Sequence, residues 1–271
     1  MKGSKVCLTI DAEFWDSPQY FGLAEEKNKQ HGNKGCQAVL DLFGDFRIKS
    51  TFFVATEFAQ QHPATIDRVI QAGHEVASHS CSHVRFDRLE SAKRSFEINE
   101  SKRFFEERFG IPIKGFRAPG NLIGRDHFLL LKGAGYQYDS SLHPALLPHR
   151  PFDVFKSKSP FSVDGVVEIP ISTLAGLPVS WVFMRNLGVW LARWAVSYNR
   201  MLARDLVLYF HSWDFEPLPA VPGLPRYVTR ATGRDFLAMM AKLIIEFQKK
   251  GFSFCRMEDL VDEYLDYHSG L

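Results

Sequence analysis

The stretch Gly73-His74-Glu75-Val76-Ala77-Ser78-His79-Ser80-Cys81-Ser82-His83 decides how the rest of the chain is read. A short strand-like run after a glycine ends in two histidines four residues apart. On the first turn of a helix, residues at i and i+4 share a face, so both imidazoles can address one cation. Imidazole nitrogen is a good ligand for zinc and its neighbours. The same spacing fits one capping and one surface histidine, and the pair alone leaves both readings open. Its flanks speak to the fold. Residues 64–72 show helical spacing, with Ile66, Val69 and Ile70 on one side and Gly73 as the stop. Residues 87–109 read as a long helix with Phe96, Ile98, Phe104 and Phe105 among its apolar positions, closed by Gly110.

The alternation continues in both directions. Lys5 to Ile10 is an apolar run suited to a buried parallel strand, and it ends in Asp11-Ala12-Glu13. In extended backbone these two acids emerge on one face, where they repel unless a cation or proton intervenes. A polar strand end leading into a loop accounts for them equally. Beside a histidine pair, one acid as metal ligand and the other as base is the better account. Residues 14–32 read as a loop over the strand ends, 36–46 as a helix and 50–54 as a second buried strand. Gly115-Phe116-Arg117-Ala118-Pro119-Gly120-Asn121 breaks the chain after a further strand and places Arg117 at the end that carries the acids. A helix is expected over 126–133, a strand over 136–141 ending in an acid, and another strand over 166–171. Asp205 to Phe210 is a strongly apolar strand delivering His211; a helix (235–247), a strand (252–254) and a terminal helix (257–267) follow.

Strands alternating with helices imply parallel strands joined by βα units, hence a (β/α) barrel or a doubly wound sheet. Asp11, Glu13, His79, His83, Arg117, Asp139 and His211 all fall at or just after a strand's C-terminal end, the face that carries chemistry in such barrels.

With 271 residues and no linker or repeat, the chain reads as one domain over 1–271. Net charge is +2 with both signs interspersed, which gives no nucleic-acid surface. Cys7, Cys36, Cys81 and Cys255 lack C-x-x-C spacing and read as reduced thiols. Residues 1–5 run directly into a strand carrying chemistry, which leads us to expect a cytoplasmic protein. There is no G-x-G-x-x-G after the first strand and no phosphate-binding Walker loop. Leu174 to Tyr198 is the most apolar stretch, with Trp181, Trp190 and Trp194. Read as a helix, it sets Arg185, Arg193 and Arg200 within one arc of about 80°. Residues 177–200 therefore suit either peripheral contact with a membrane surface or a core helix with snorkelling arginines.

In this order, the motifs resemble the polysaccharide deacetylase family, the NodB-homology carbohydrate esterases. His79-Ser80-Cys81-Ser82-His83 matches its His-Ser/Thr-x-x-His metal motif. Arg117-Ala118-Pro119 matches its Arg-x-Pro segment, and Leu208-Tyr209-Phe210-His211 its late strand ending in the catalytic histidine. The resemblance runs from about Val6 to Phe254 and implies a distorted (β/α) barrel of about seven parallel strands. It further implies a hydrolase that removes a short N-acyl group from an amino sugar, with one divalent ion, zinc first and cobalt, nickel or iron as alternatives. Carried over residue by residue, Glu13, His79 and His83 become the metal ligands and Asp11 the base. Arg117 holds Asp11, His211 is the acid, Asp139 the carboxylate that keeps His211 charged, and Gly120, Asn121 and Trp213 line the sugar site. Two departures stand out. Ala12 occupies the place of the family's second adjacent aspartate, and Gly120 replaces the aromatic residue that usually follows Arg-x-Pro. A cytoplasmic or lipid-linked glycan precursor at the inner membrane face suits the apolar segment. A deformylase or other linear-amide hydrolase is one alternative, a metal-free ring-amide relative another, and a catalytically silent sugar- or lipid-binding protein a third.

Overall fold

A computed structural model describes residues 5–147 and 150–269. Its strands are β1 (Lys5–Ala12), β2 (Thr51–Val54), β3 (Glu75–Ser78), β4 (Gly115–Phe116), β5 (Tyr138–Asp139), β6 (Phe161–Val163), β7 (Val166–Glu168), β8 (Thr173–Leu174), β9 (Leu177–Pro178), β10 (Leu206–His211) and β11 (Ser253–Phe254). The helices are α1 (Ser17–Tyr20), α2 (Asn33–Asp45), α3 (Thr56–Gln61), α4 (Pro63–Gln71), α5 (Ser91–Phe109), α6 (His127–Gly133), α7 (Trp181–Leu187), α8 (Val189–Met201), α9 (Arg226–Thr229), α10 (Arg234–Lys249) and α11 (Met257–Ser269).

The main sheet runs β10-β1-β2-β3-β4-β5-β7-β6, with β11 also on β1; every pairing is parallel except β6 on β7. The chain after β7 swings back to β10, where Ser172 N donates to Val207 O (2.9 Å) and Val207 N to Ser172 Oγ (2.8 Å). These two bonds join the ends of the sheet without a full ladder. The result is the expected α/β architecture, a distorted and incompletely closed (β/α) barrel.

Side chains alternate strictly across this sheet. Val6, Leu8, Ile10 and Ala12 of β1 pack outward with Phe52, Val54, Leu208 and Phe210 against the helices. Cys7 faces inward, in a separate lumen cluster with Phe53, Ala77, Tyr138, Val207, Met257 and Val261. Met257, Leu260 and Val261 of α11 plug the bottom of the lumen. There Glu75 Oε2 accepts from Glu258 N (3.0 Å) and Thr51 Oγ1 accepts from Met257 N (2.7 Å), satisfying the first amides of α11. Gly115 on β4 faces the Tyr138 ring, and a Cβ there would stand 1.9 Å from Tyr138 Cζ. Only glycine permits that approach.

The long apolar stretch differs from expectation. Residues 174–198 do not form a single helix. They make the β8–β9 hairpin and then two helices separated at Gly188, whose φ of 89° stops α7. Arg185 is consequently buried, pairing with Asp214 (3.2 Å) and donating to Val228 O and Arg230 O. The single arginine stripe expected from the sequence is therefore absent.

Candidate active site

The alternation that builds the barrel also builds the site. Cys7, Asp11 and Glu13 fall on the inward parity of β1, and Ala12 points out to the helices. An acid-x-acid pair therefore presents both carboxylates inward, where adjacent acids would place one of them in the outer core. His79 extends β3, and His211 ends β10 opposite Asp11 in register.

Glu13, His79 and His83 converge as a buried cluster able to hold one ion. The His79–His83 segment is a turn rather than the helical turn expected from its spacing. Ser80 and His83 adopt φ of 65° and 50°, uncommon for residues with a Cβ. Glu97 of α5 braces the turn by accepting from Cys81 N (2.9 Å), Ser82 N (2.8 Å) and Ser82 Oγ (2.5 Å). His79 Nδ1 lies 2.7 Å from Arg117 O. A carbonyl can only accept, so Nδ1 donates to it and Nε2 is the ring nitrogen turned to Glu13 Oε2, 3.2 Å away. His83 Nε2 contacts the same oxygen, and Asp16 Oδ2 lies 3.2 Å from its Nδ1 as an ion pair. Glu13 Oε2 is buried and has no hydrogen-bond donor among the described residues.

Electrostatics point the same way. Burial would raise the Glu13 pKa, but the surrounding His83, His79 and His211 outweigh it and hold the carboxyl well below its usual range. Burial opposes charging of His83, yet Glu13 and Asp16 raise its pKa to about 10. The site draws positive charge toward the three ligand atoms. Buried carboxylate oxygen and two imidazole nitrogens form a donor set that fits a divalent ion such as zinc.

Arg117 is fully buried, and four of its five N–H donors have side-chain or backbone partners. Nη1 donates to Asp11 Oδ1 (2.7 Å) and Thr9 Oγ1 (2.8 Å), Nε to Ser140 O (3.0 Å) and Nη2 to Ser140 Oγ (3.0 Å). Its plane lies 3.9 Å over the Phe53 ring. Asp11 Oδ1 is thereby fixed, and Oδ2 lies toward His79 Nε2 at 3.9 Å. On the other side His211 stacks on Trp213 (4.3 Å, 8°), with the Trp181 edge at 4.9 Å. Trp213 Nε1 in turn donates to Glu13 Oε1 (3.1 Å).

The expected partnership of Asp139 with His211 is not present. Ser140 faces inward to Arg117, so Asp139, one residue earlier, points outward, where His127 of α6 meets it at 3.1 Å. The carboxylate beside His211 is Asp214, which accepts from His211 N (2.9 Å), has Oδ2 3.4 Å from Nδ1 and is backed by Arg185. Burial lowers the His211 pKa, but Asp214 and Glu13 more than offset it and leave the pKa raised. Asp214 and Asp16 were missed by sequence reasoning. Their only signal was proximity in the chain, three residues after His211 and three after Glu13.

Asp11, Glu13, His79, His83 and His211 line one cavity of about 800 Å³. Gly120 and Asn121 line it, and Asn121 Oδ1 is buried without a hydrogen-bond partner among the described residues. Trp213, Tyr209, Trp181 and Phe183 supply aromatic wall.

The profile described as polysaccharide deacetylase matches residues 3–138, and one described as a domain of unknown function (DUF3473) matches residues 140–262. The peptidoglycan-N-acetylglucosamine deacetylase of Bacillus cereus is 33% identical over 99 residues, 36% of this chain and 46% of that protein. The aligned region thus spans less than half the length of that curated relative. Among solved structures, a candidate polysaccharide deacetylase from Mycobacterium smegmatis superposes with a TM-score of 0.68 at 22% identity, covering 97% of this chain and 91% of that one. A CE4 family pseudoenzyme from Bacillus anthracis has a TM-score of 0.59 at 11% identity, covering 97% and 66%. These two likenesses concern the fold.

Proposed function

This chain belongs to the polysaccharide deacetylase family, and on that premise we propose that it hydrolyses the N-acyl group of an amino sugar within a glycan. The observation that carries the reading is a triple juxtaposition in one cavity. The Glu13–His79–His83 cluster sits between Asp11, clamped by Arg117, and His211, backed by Asp214. Glu13, His79 and His83 would hold a divalent ion, which when bound supplies Lewis acidity toward water and an amide carbonyl.

The chain's own residues account for the proton traffic. Asp11 Oδ2 accepts the proton of the attacking water, because Oδ1 is held by Arg117 and the guanidinium fixes the direction of the carboxylate. His211 Nε2 lies 3.9 Å from Glu13 Oε1 and delivers a proton to the departing nitrogen, which would otherwise leave as an amide anion. Asp214 stabilises the charged imidazole through Nδ1, and Trp213 keeps the ring plane fixed by stacking. Aromatic walls and the Asn121 amide offer the sugar apolar faces and a hydrogen-bond partner.

The test is amine release from N-acetylated chitooligosaccharides and peptidoglycan glycan strands by zinc- or cobalt-loaded protein. Turnover is expected for wild type and is lost by on the order of a hundredfold or more in Asp11→Asn. Metal-loaded wild type that releases no amine from any of these glycans contradicts the proposal.

A further inference from the structure

Helix α8 has two contrasting faces. Leu191, Ala192, Ala195, Val196 and Asn199 are buried in the core. The other face exposes Trp190 (50%), Trp194 (64%) and Met201 (74%). Their spacings of four and seven residues place them in one stripe, and Leu187 at the end of α7 is exposed as well. Exposed apolar surface on this scale marks a contact site.

The charges beside this stripe identify the partner. Arg200 stands on its flank, and its Nη1 donates to Lys250 O (3.3 Å), bringing the C-terminal end of α10 alongside. Lys242 and Lys249 of α10 and Lys250 just after it are exposed. Its Glu246 is engaged by Arg193 of α8, which leaves the lysines and Arg200 to set the sign of this edge. Tryptophan with flanking lysine and arginine is the composition that favours the boundary between acyl chains and anionic headgroups. No helix among the described residues is long and apolar enough to cross a membrane.

We propose that the α7–α8 ridge seats the protein on an anionic lipid bilayer, with Trp190, Trp194 and Met201 in the headgroup boundary and Arg200, Lys249 and Lys250 against lipid phosphates. Trp181, Phe183 and Leu187 of α7 line the catalytic cavity, so its mouth adjoins the ridge. Resting on the catalytic reading above, a sugar carried on a lipid would reach the cleft along the membrane plane.

The experiment is co-sedimentation of the full chain with phosphatidylcholine vesicles, with and without phosphatidylglycerol, alongside tryptophan emission. Wild type should pellet with the anionic vesicles and its emission should shift to the blue. The double variant Trp190→Ala/Trp194→Ala should bind at least about tenfold more weakly, and Lys249→Ala/Lys250→Ala several-fold more weakly with a reduced salt dependence. All four positions are exposed, so unchanged melting temperatures serve as the folding control. Absence of binding, or equal binding by the tryptophan variant, overturns the proposal. A Trp190/Trp194-dependent dimer in sedimentation velocity without vesicle binding also overturns it and assigns the ridge to protein contact. No turnover is read, so failure of the catalytic proposal and failure of this one are separable.

Discussion

Two buried aspartates, Asp214 and Asp139, each hold a histidine, and only one of those histidines faces the cavity. Replacing each with asparagine separates positioning of the acid from general stability. In Asp214→Asn, the group 3.4 Å from His211 Nδ1 becomes neutral, while Arg185 keeps its carbonyl partners Val228 and Arg230. General acid catalysis contributes on the order of 10² to 10⁴ in rate, so kcat should fall by about that factor, or about 3–5 kcal/mol of barrier. KM should move little, since Asp214 is fully buried. In Asp139→Asn the lost partner is His127, the first residue of α6. Stability should drop by about 3 kcal/mol or more for an unpaired buried group, but kcat of the folded fraction should stay within about fivefold of wild type. The assay is amine release at saturating substrate, with circular dichroism melts fixing the folded fraction. A kcat unchanged in Asp214→Asn, or an equal loss in a fully folded Asp139→Asn, would refute the assignment.

Other consequences follow from the same contacts. Arg117→Met leaves Asp11 as an uncompensated buried charge and should cost about 3–5 kcal/mol in chemical denaturation, with activity lost in the protein that remains folded. Gly115→Ala drives a methyl group into the Tyr138 ring, and a loss of about 2–3 kcal/mol should appear as a lowered Tm. Burial raises the Glu75 pKa from 4.5 to about 7. The folded state therefore binds the proton more tightly than the unfolded chain, and its contribution, complete below pH 4.5, is lost as pH rises through 7. The swing is about 3 kcal/mol. Denaturation of Glu75→Gln across this window should show a flatter pH dependence than wild type, and an identical slope in both proteins would place the titration elsewhere.

The parts of the site that were legible in the sequence are those fixed by strand parity. Asp11, Glu13, His79 and His211 sit at strand ends, where alternation alone dictates the face. The same rule, applied to Ser140 and Asp139, would have turned Asp139 away from the lumen; its place at a strand end was read without its parity. Asp214 and Asp16 sit in irregular turns, where no period signals direction. The Glu97 brace under the histidine turn is a tertiary contact across fifteen residues or more, invisible to spacing. The break at Gly188 was obscured because an apolar run looks alike whether one helix or two bury it. Barrel closure through Ser172 and Val207 joins segments 35 residues apart by two hydrogen bonds, too little to leave a pattern.

The central claim, a cation held by Glu13, His79 and His83, is tested most directly by the metal content of the purified protein, measured beside Glu13→Ala and His79→Ala. The account predicts about one divalent ion per chain in wild type, lost from both variants while each remains folded. Metal retained in Glu13→Ala, or none taken up by wild type under zinc, cobalt, nickel or iron loading, would contradict it.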